Sequence, residues 1–190
     1  LRKRFNLSLE VDRTPSRFLF LLGDFYSQNL QAFSKCAILR KRRISMSQEF
    51  INPSDGVIRQ YLETSKTLAV VGLSDREETT SNRVTKEMQD RGYKIIPVNP
   101  KAAGGEILGE KAYASLAEIP FPVDIVNVYR RSEFLPDVAR DFLKADAKIF
   151  WAQLGLESLE VEEILRAGGC DDIVMNRCIK REHTRLILEQ

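Results

Sequence analysis

TLAVVGLSDREETTSNRVTKEMQDRGYKIIPVNPK, residues 67–101, has the layout of a strand, a glycine turn, a helix and a second strand. Leu68 to Val71 are apolar and short enough for a buried strand, which Gly72 ends. Ser81 stands where an N-cap belongs, and Val84 and Met88 then share one helical face. Gly92 stops this helix at Arg91, in the C′ position that glycine favours. Lys94 to Val98 supply the second buried strand. Two such strands joined by a helix run parallel, so the stretch is a βαβ unit. Ligands of open α/β sheets bind beyond the carboxyl ends of the strands. Residues 72–81 and 99–101 both lie there, so the functional residues are expected in those two turns.

Outward from this unit, strands and helices alternate. Ser54 or Asp55 begins a helix through Thr64, with Val57, Ile58, Tyr61 and Leu62 on its apolar face. Residues 102–122 form a glycine-rich connection with one helical turn expected at Ser115 to Ile119. Val123 to Tyr129 reads as the third strand. Ser132 is the expected cap of a helix from Glu133 to Ala145, with Pro136 tolerated in its first turn. Ala147 to Trp151 is a fourth strand, and Ser158 caps a helix that ends at Gly168 and Gly169. Asp172 to Met175 is a fifth strand, and a last helix runs from Cys178 to Leu188. The pattern predicts a Rossmann-like, doubly wound parallel sheet of about five strands in a three-layer α/β/α domain.

Charge divides the chain. Residues 1–45 hold ten Lys/Arg against three Asp/Glu, and residues 46–190 hold nineteen against twenty-four. The folded part is therefore acidic, at −5, and nucleic acid is not an expected partner. No run approaches the ~18 apolar residues of a membrane span. Cys36, Cys170 and Cys178 show no CxxC spacing, which fits free thiols in a reducing cytoplasm. Residues 1–45 carry basic clusters at each end and an FLFLL patch at 18–22, yet no signal-peptide cleavage site. A basic arm for nucleic acid or membrane is one reading of that segment. The other starts from Leu1 standing where Met would be, and from Met46 opening SQEFINPSDG. On that reading residues 1–45 are an upstream extension without a packed fold, and the domain is 46–190.

The turn after the first strand departs from a dinucleotide fingerprint. Gly72 is followed by Leu73, Ser74 and Asp75, and the next glycine is Gly92. An NAD site also wants an acid at the end of the second strand, where this chain has Asn99, Pro100 and Lys101. A lysine there suits a phosphorylated adenine nucleotide carrying more charge than NAD.

The stretches VVGLSDREETTSNRV, YKIIPVNPKAAGGEILG, VDIVNVYRRSE, KIFWAQLG and VMNRCIKREHTRL resemble the small stand-alone CoA-binding proteins of bacteria. That group is similar to the CoA-binding domain of the succinyl-CoA synthetase alpha subunit. The resemblance implies that Gly72 and Ser74 line the CoA diphosphate, and Leu73 and Val98 are counted with the cofactor-binding residues. It also implies that Asn99, Pro100 and Lys101 hold the adenosine phosphate end, and that Val128, Tyr129 and Arg130 border the nucleotide. Arg83, a cation in the first turn of its helix, is misplaced for the dipole unless it meets an anion. Arg130 or Arg131 is placed to contact a phosphate, and Gln153 to hydrogen-bond a pantetheine amide. Trp151 is expected in the core or the pocket wall, and Cys178 falls on the ligand side, where it could meet the CoA thiol. Asp124 and Asn127 read as strand-end or surface polar residues without a role.

The larger synthetases use a phosphorylated histidine on a second domain and a nucleotide-binding partner. Here the one histidine is His183, so a phosphoryl relay is not supported. No metal cluster or nucleophile–base pair is apparent either. The expected function is binding of coenzyme A or an acyl-CoA. One alternative is the CoA-binding subunit of an acyl-CoA synthetase-like enzyme acting with a partner chain. Another is an NAD(P)-binding sensor or reductase. The protein partner, where there is one, is a second copy or an enzyme subunit.

Overall fold

The computed structural model describes residues 49–189, and the expectations for residues 1–45 lie outside them. In chain order the elements are α1 (Asp55–Thr64), β1 (Thr67–Val71), α2 (Thr80–Asp90) and β2 (Lys94–Val98), then β3 (Glu106–Ile107) and β4 (Glu110–Lys111). They continue with β5 (Val123–Val128), α3 (Leu135–Phe142), β6 (Ala147–Ala152), α4 (Leu159–Ala167), β7 (Ile173–Val174) and α5 (Ile179–His183). A π-helical turn, Thr184–Leu188, extends α5.

Five strands form one parallel sheet in the order β2-β1-β5-β6-β7. The register is regular, with Val70 opposite Pro97 on one side and Asn127 on the other. Alternation along β1 separates the two faces. Leu68 and Val70 pack with Ile58, Met88 and Ile179, under α1, α2 and α5. Ala69 and Val71 pack with Leu135, Phe142 and Leu165, under α3 and α4. This is the expected three-layer Rossmann-like α/β architecture. No described helix is long and apolar enough to cross a membrane.

Four local expectations are corrected. Thr79, not Ser81, caps α2, because its Oγ1 accepts from the Asn82 N–H at 3.4 Å. Ser132 opens a 3-10 turn, and α3 begins only at Leu135, with Pro136 in its first turn. Residues 102–122 hold the short β3–β4 hairpin as well as the expected helical turn at Leu116–Glu118. β7 is two residues long, because both backbone groups of Met175 are taken by the side-chain amide of Asn52 at 2.9 Å each.

Of the two polar residues of β5, Asp124 is at the strand end as expected but has structural partners, and Asn127 is not at the surface. Asp124 sits at the amino end of the sheet and accepts hydrogen bonds from the N–H groups of Lys66 and Thr67 at 2.9 and 3.1 Å. It also accepts from Thr67 Oγ1 at 3.0 Å and Lys148 Nζ at 2.8 Å. Burial alone would raise its carboxyl, but the Lys148 contact and the N–H donors outweigh it and hold the pKa at about 2. Asn127 is fully buried towards the opposite end of the same strand.

Candidate functional site at the carboxyl edge

The sheet order reverses direction between β1 and β5, and the turns that follow these strands splay apart there. Gly72 makes this opening possible. It adopts φ +86°, and a Cβ on it would come within 3.0 Å of the Tyr129 carbonyl oxygen and 3.1 Å of Arg130 Cδ. Any side chain would therefore be strained and would crowd the neighbouring turn.

The turn from Gly72 to Thr79 is pinned from beneath. Ser74 donates its N–H to Ser81 Oγ at 3.3 Å, and its carbonyl accepts from Asn82 Nδ2 at 2.9 Å. The turn after β2 is tied to it, because Asn99 Nδ2 donates to the Leu73 carbonyl at 2.8 Å. Asn99 Oδ1 accepts the Lys101 N–H at 3.0 Å, closing an Asx-type turn that presents Lys101 outward.

Two cavities open on this edge. The first, of about 580 Å³, is lined by Gly72, Ser74, Asp75, Arg76, Asn99, Pro100, Lys101, Ala102, Tyr129 and Arg130. The second, of about 650 Å³, lies between the start of α2, the end of β6 and α5. Its wall includes Arg83, Val84, Gln153, Leu154, Leu156 and Cys178, and it shares Tyr129 and Arg130 with the first. A smaller apolar recess of about 170 Å³, walled by Val71, Val98, Leu116 and Phe134, opens beside Gly72 and Pro100.

The sequence-derived residues therefore converge, with two exceptions. Gly72, Ser74, Asn99, Pro100, Lys101, Tyr129 and Arg130 line the first cavity, Arg83 and Gln153 the second, and Val98 the recess. Leu73 and Val128 are fully buried in the core and line none of the three. Leu73 contributes only its carbonyl, as the acceptor for Asn99. Trp151 is core, its Nε1 donating to the Arg177 carbonyl at 2.8 Å.

Sequence reasoning missed Arg76, Lys180, Arg181 and the buried amide of Asn127. Residues lining the two larger cavities include seven Lys or Arg against Asp75 and Glu87. Lys180 is paired with Glu87 at 3.0 Å and Arg131 with Glu133 at 3.6 Å. Among the described residues Arg83, Lys101 and Arg181 have no ion-pair partner, and Arg130 lies over the Phe134 ring at 5.4 Å. Below them, Gln153 Nε2 donates to Asn127 Oδ1 at 3.0 Å, while Asn127 Nδ2 and the Tyr129 hydroxyl are buried without partners. Burial pushes the Tyr129 phenol well above its ordinary range, and the adjacent Asn127 amide offsets this only partly.

His183 lies elsewhere. It packs edge-on against Tyr93 and borders a small recess with Ser65, Lys66 and Gly92, at the amino-terminal side of the sheet. Burial, with Arg91 adding to it, lowers its pKa.

A parallel sheet with a glycine turn and a cationic edge at its switch point defines a Rossmann-like domain of the kind that seats phosphorylated ligands. The chain belongs to the CoA binding domain family, whose model matches residues 66–184. It is 54% identical over 132 residues to the uncharacterized protein YneT of Bacillus subtilis, covering 70% of this chain and 96% of that one. It is 32% identical over 116 residues to the alpha subunit of an ADP-forming acetate–CoA ligase of Pyrococcus furiosus. That match covers 56% of this chain and only 25% of the ligase subunit. Among solved structures, cell-free ID.343 of Thermus thermophilus superposes with a TM-score of 0.68 at 35% identity. The superposition covers 71% of this chain and all of that one.

Proposed function

We propose that the carboxyl edge binds coenzyme A or an acyl-CoA. The carrying observation is the pair of cavities that meet at Tyr129 and Arg130, lined by seven cations on a body whose residues 46–190 sum to −5. The diphosphate lies at the Gly72 turn, beside Arg130, whose guanidinium suits a phosphate. Lys101 takes the ribose phosphate, and the recess beside Pro100 takes the adenine. The pantetheine arm runs past Tyr129 into the second cavity.

Calorimetric titration with CoA, 3′-dephospho-CoA and NADH tests this reading. CoA binds best, and both removal of the 3′-phosphate and Lys101→Ala weaken it roughly tenfold, about 1.4 kcal/mol. Equal affinity for CoA and its dephospho form would remove Lys101 as the phosphate reader. Binding of NADH in place of CoA would overturn the reading.

The match to a ligase alpha subunit favours a second reading, in which the same site presents CoA to a partner chain. ADP-forming acyl-CoA ligase activity in a co-purified complex, absent from the chain alone, is the result that would establish it.

A further inference from the structure

The second cavity ends on a thiol and on polar groups that lack partners. Cys178 is free, half-buried and part of the same wall as Tyr129. Gln153 in the same wall is only 5% exposed. Its Nε2 is used by Asn127, but its Oε1 has no partner among the described residues. Tyr129, whose hydroxyl is buried without a partner, lines the same cavity. Gln153 Oε1 is therefore an acceptor in the cavity wall that a hydrogen-bonding arm can meet. An amide-bearing chain that ends in sulfur satisfies both Gln153 and the approach to Cys178.

We propose that Cys178 captures coenzyme A covalently by exchange with a disulfide of coenzyme A, an inference that rests on the binding site proposed above. The Cys178 thiolate attacks the CoA-side sulfur of CoA–S–S–R. A bond forms between Cys178 Sγ and the CoA sulfur, the ligand's S–S bond breaks, and R–S⁻ leaves and takes up the proton that Cys178 released. The disulfide is the oxidant, so no further electron acceptor is needed. A small thiol reverses the step, and occupancy follows the ratio of CoA disulfide to CoA thiol. Cys170 lines neither large cavity; its sulfur lies 3.9 Å from the carbonyl oxygens of Lys148 and Asp172. It is an internal control.

The test incubates the full chain with CoA disulfide or with glutathione disulfide, followed by intact mass measurement and peptide mapping without reductant. Reversible CoA binding is measured in parallel by calorimetry under reductant. The expected result is one CoA moiety on the Cys178 peptide, released by dithiothreitol and absent from Cys178→Ser. Modification of Cys178 by CoA disulfide should be at least about tenfold faster than its glutathionylation by glutathione disulfide, because bound ligand is presented at raised local concentration. Reversible CoA binding with Cys178 unmodified, or modified equally fast by both disulfides, overturns this inference and leaves the binding site standing. No CoA binding in either assay overturns both.

Discussion

Asp124 shows how one side chain can hold two strands and still look unremarkable in sequence. Its four donors come from Lys66, Thr67 and Lys148, and the closest of them in sequence is 24 residues away. Nothing within reach of a local pattern distinguishes it from a solvated strand end. Asn127 is hidden for a related reason. A strand covered on both faces has no polar side, so alternation cannot say whether a lone amide is buried. Gly72 was legible, because its conformation depends on its position directly after a strand. The Asp124 carboxyl, held at about 2 against an ordinary 3.8, has a definite consequence for acid stability. As pH falls, the unfolded chain protonates first, so the contribution is complete above pH 3.8 and lost as pH falls towards 2. The shift amounts to about 2 kcal/mol. Asp124→Asn should lower stability at pH 7 by about 1–3 kcal/mol and flatten the acid limb. Urea midpoints at pH 7 and pH 3 measure both effects. A variant that keeps the wild-type acid limb would show that another carboxylate carries it.

The succession of strands and helices was readable because each strand is a short apolar run and each break carries glycine, proline or a capping residue. The boundaries that moved are those settled by a distant partner. β7 ends at Val174 because Asn52, more than a hundred residues earlier, occupies the hydrogen bonds of Met175. α2 begins early because Thr79 caps it, which frees Ser81 and Asn82 to turn inward and grip the two ends of the Ser74 peptide unit's neighbourhood. The start of α2 is thereby welded to the turn that forms the first cavity. Asn82→Ala removes the hydrogen bond to the Ser74 carbonyl. It should cost about 1 kcal/mol in global stability while exposing the amides of residues 74–79 to faster hydrogen exchange. CoA affinity should fall together with that protection, since a loosened turn must be ordered again on binding. Raised exchange with unchanged affinity would mean that the turn is not where the diphosphate sits.

On the largest scale, the telling feature is a basic edge on residues 46–190, which together sum to −5. The local sequence exposed part of it, since Arg83, Lys101 and Arg130 each follow a strand or open a helix. Arg76 and the pair Lys180 and Arg181 come from a loop and from the last helix, and packing alone brings them in. Lys180 reaches Glu87 across 93 residues. A field of this kind attracts anions over a distance set by salt, about 8 Å at physiological ionic strength. CoA offers charge at two separated places, the diphosphate and the ribose phosphate, and its dephospho form at only one. The dissociation constant for CoA should therefore rise several-fold between roughly 0.05 and 0.5 M salt, and that for 3′-dephospho-CoA should rise less. Lys101→Ala should bring the CoA slope down to that of the dephospho ligand, because it removes the cation assigned to the missing phosphate. Should both slopes be flat, binding would rest on the adenine recess and the pantetheine cavity. The cationic edge would then have to serve an anionic partner other than the cofactor.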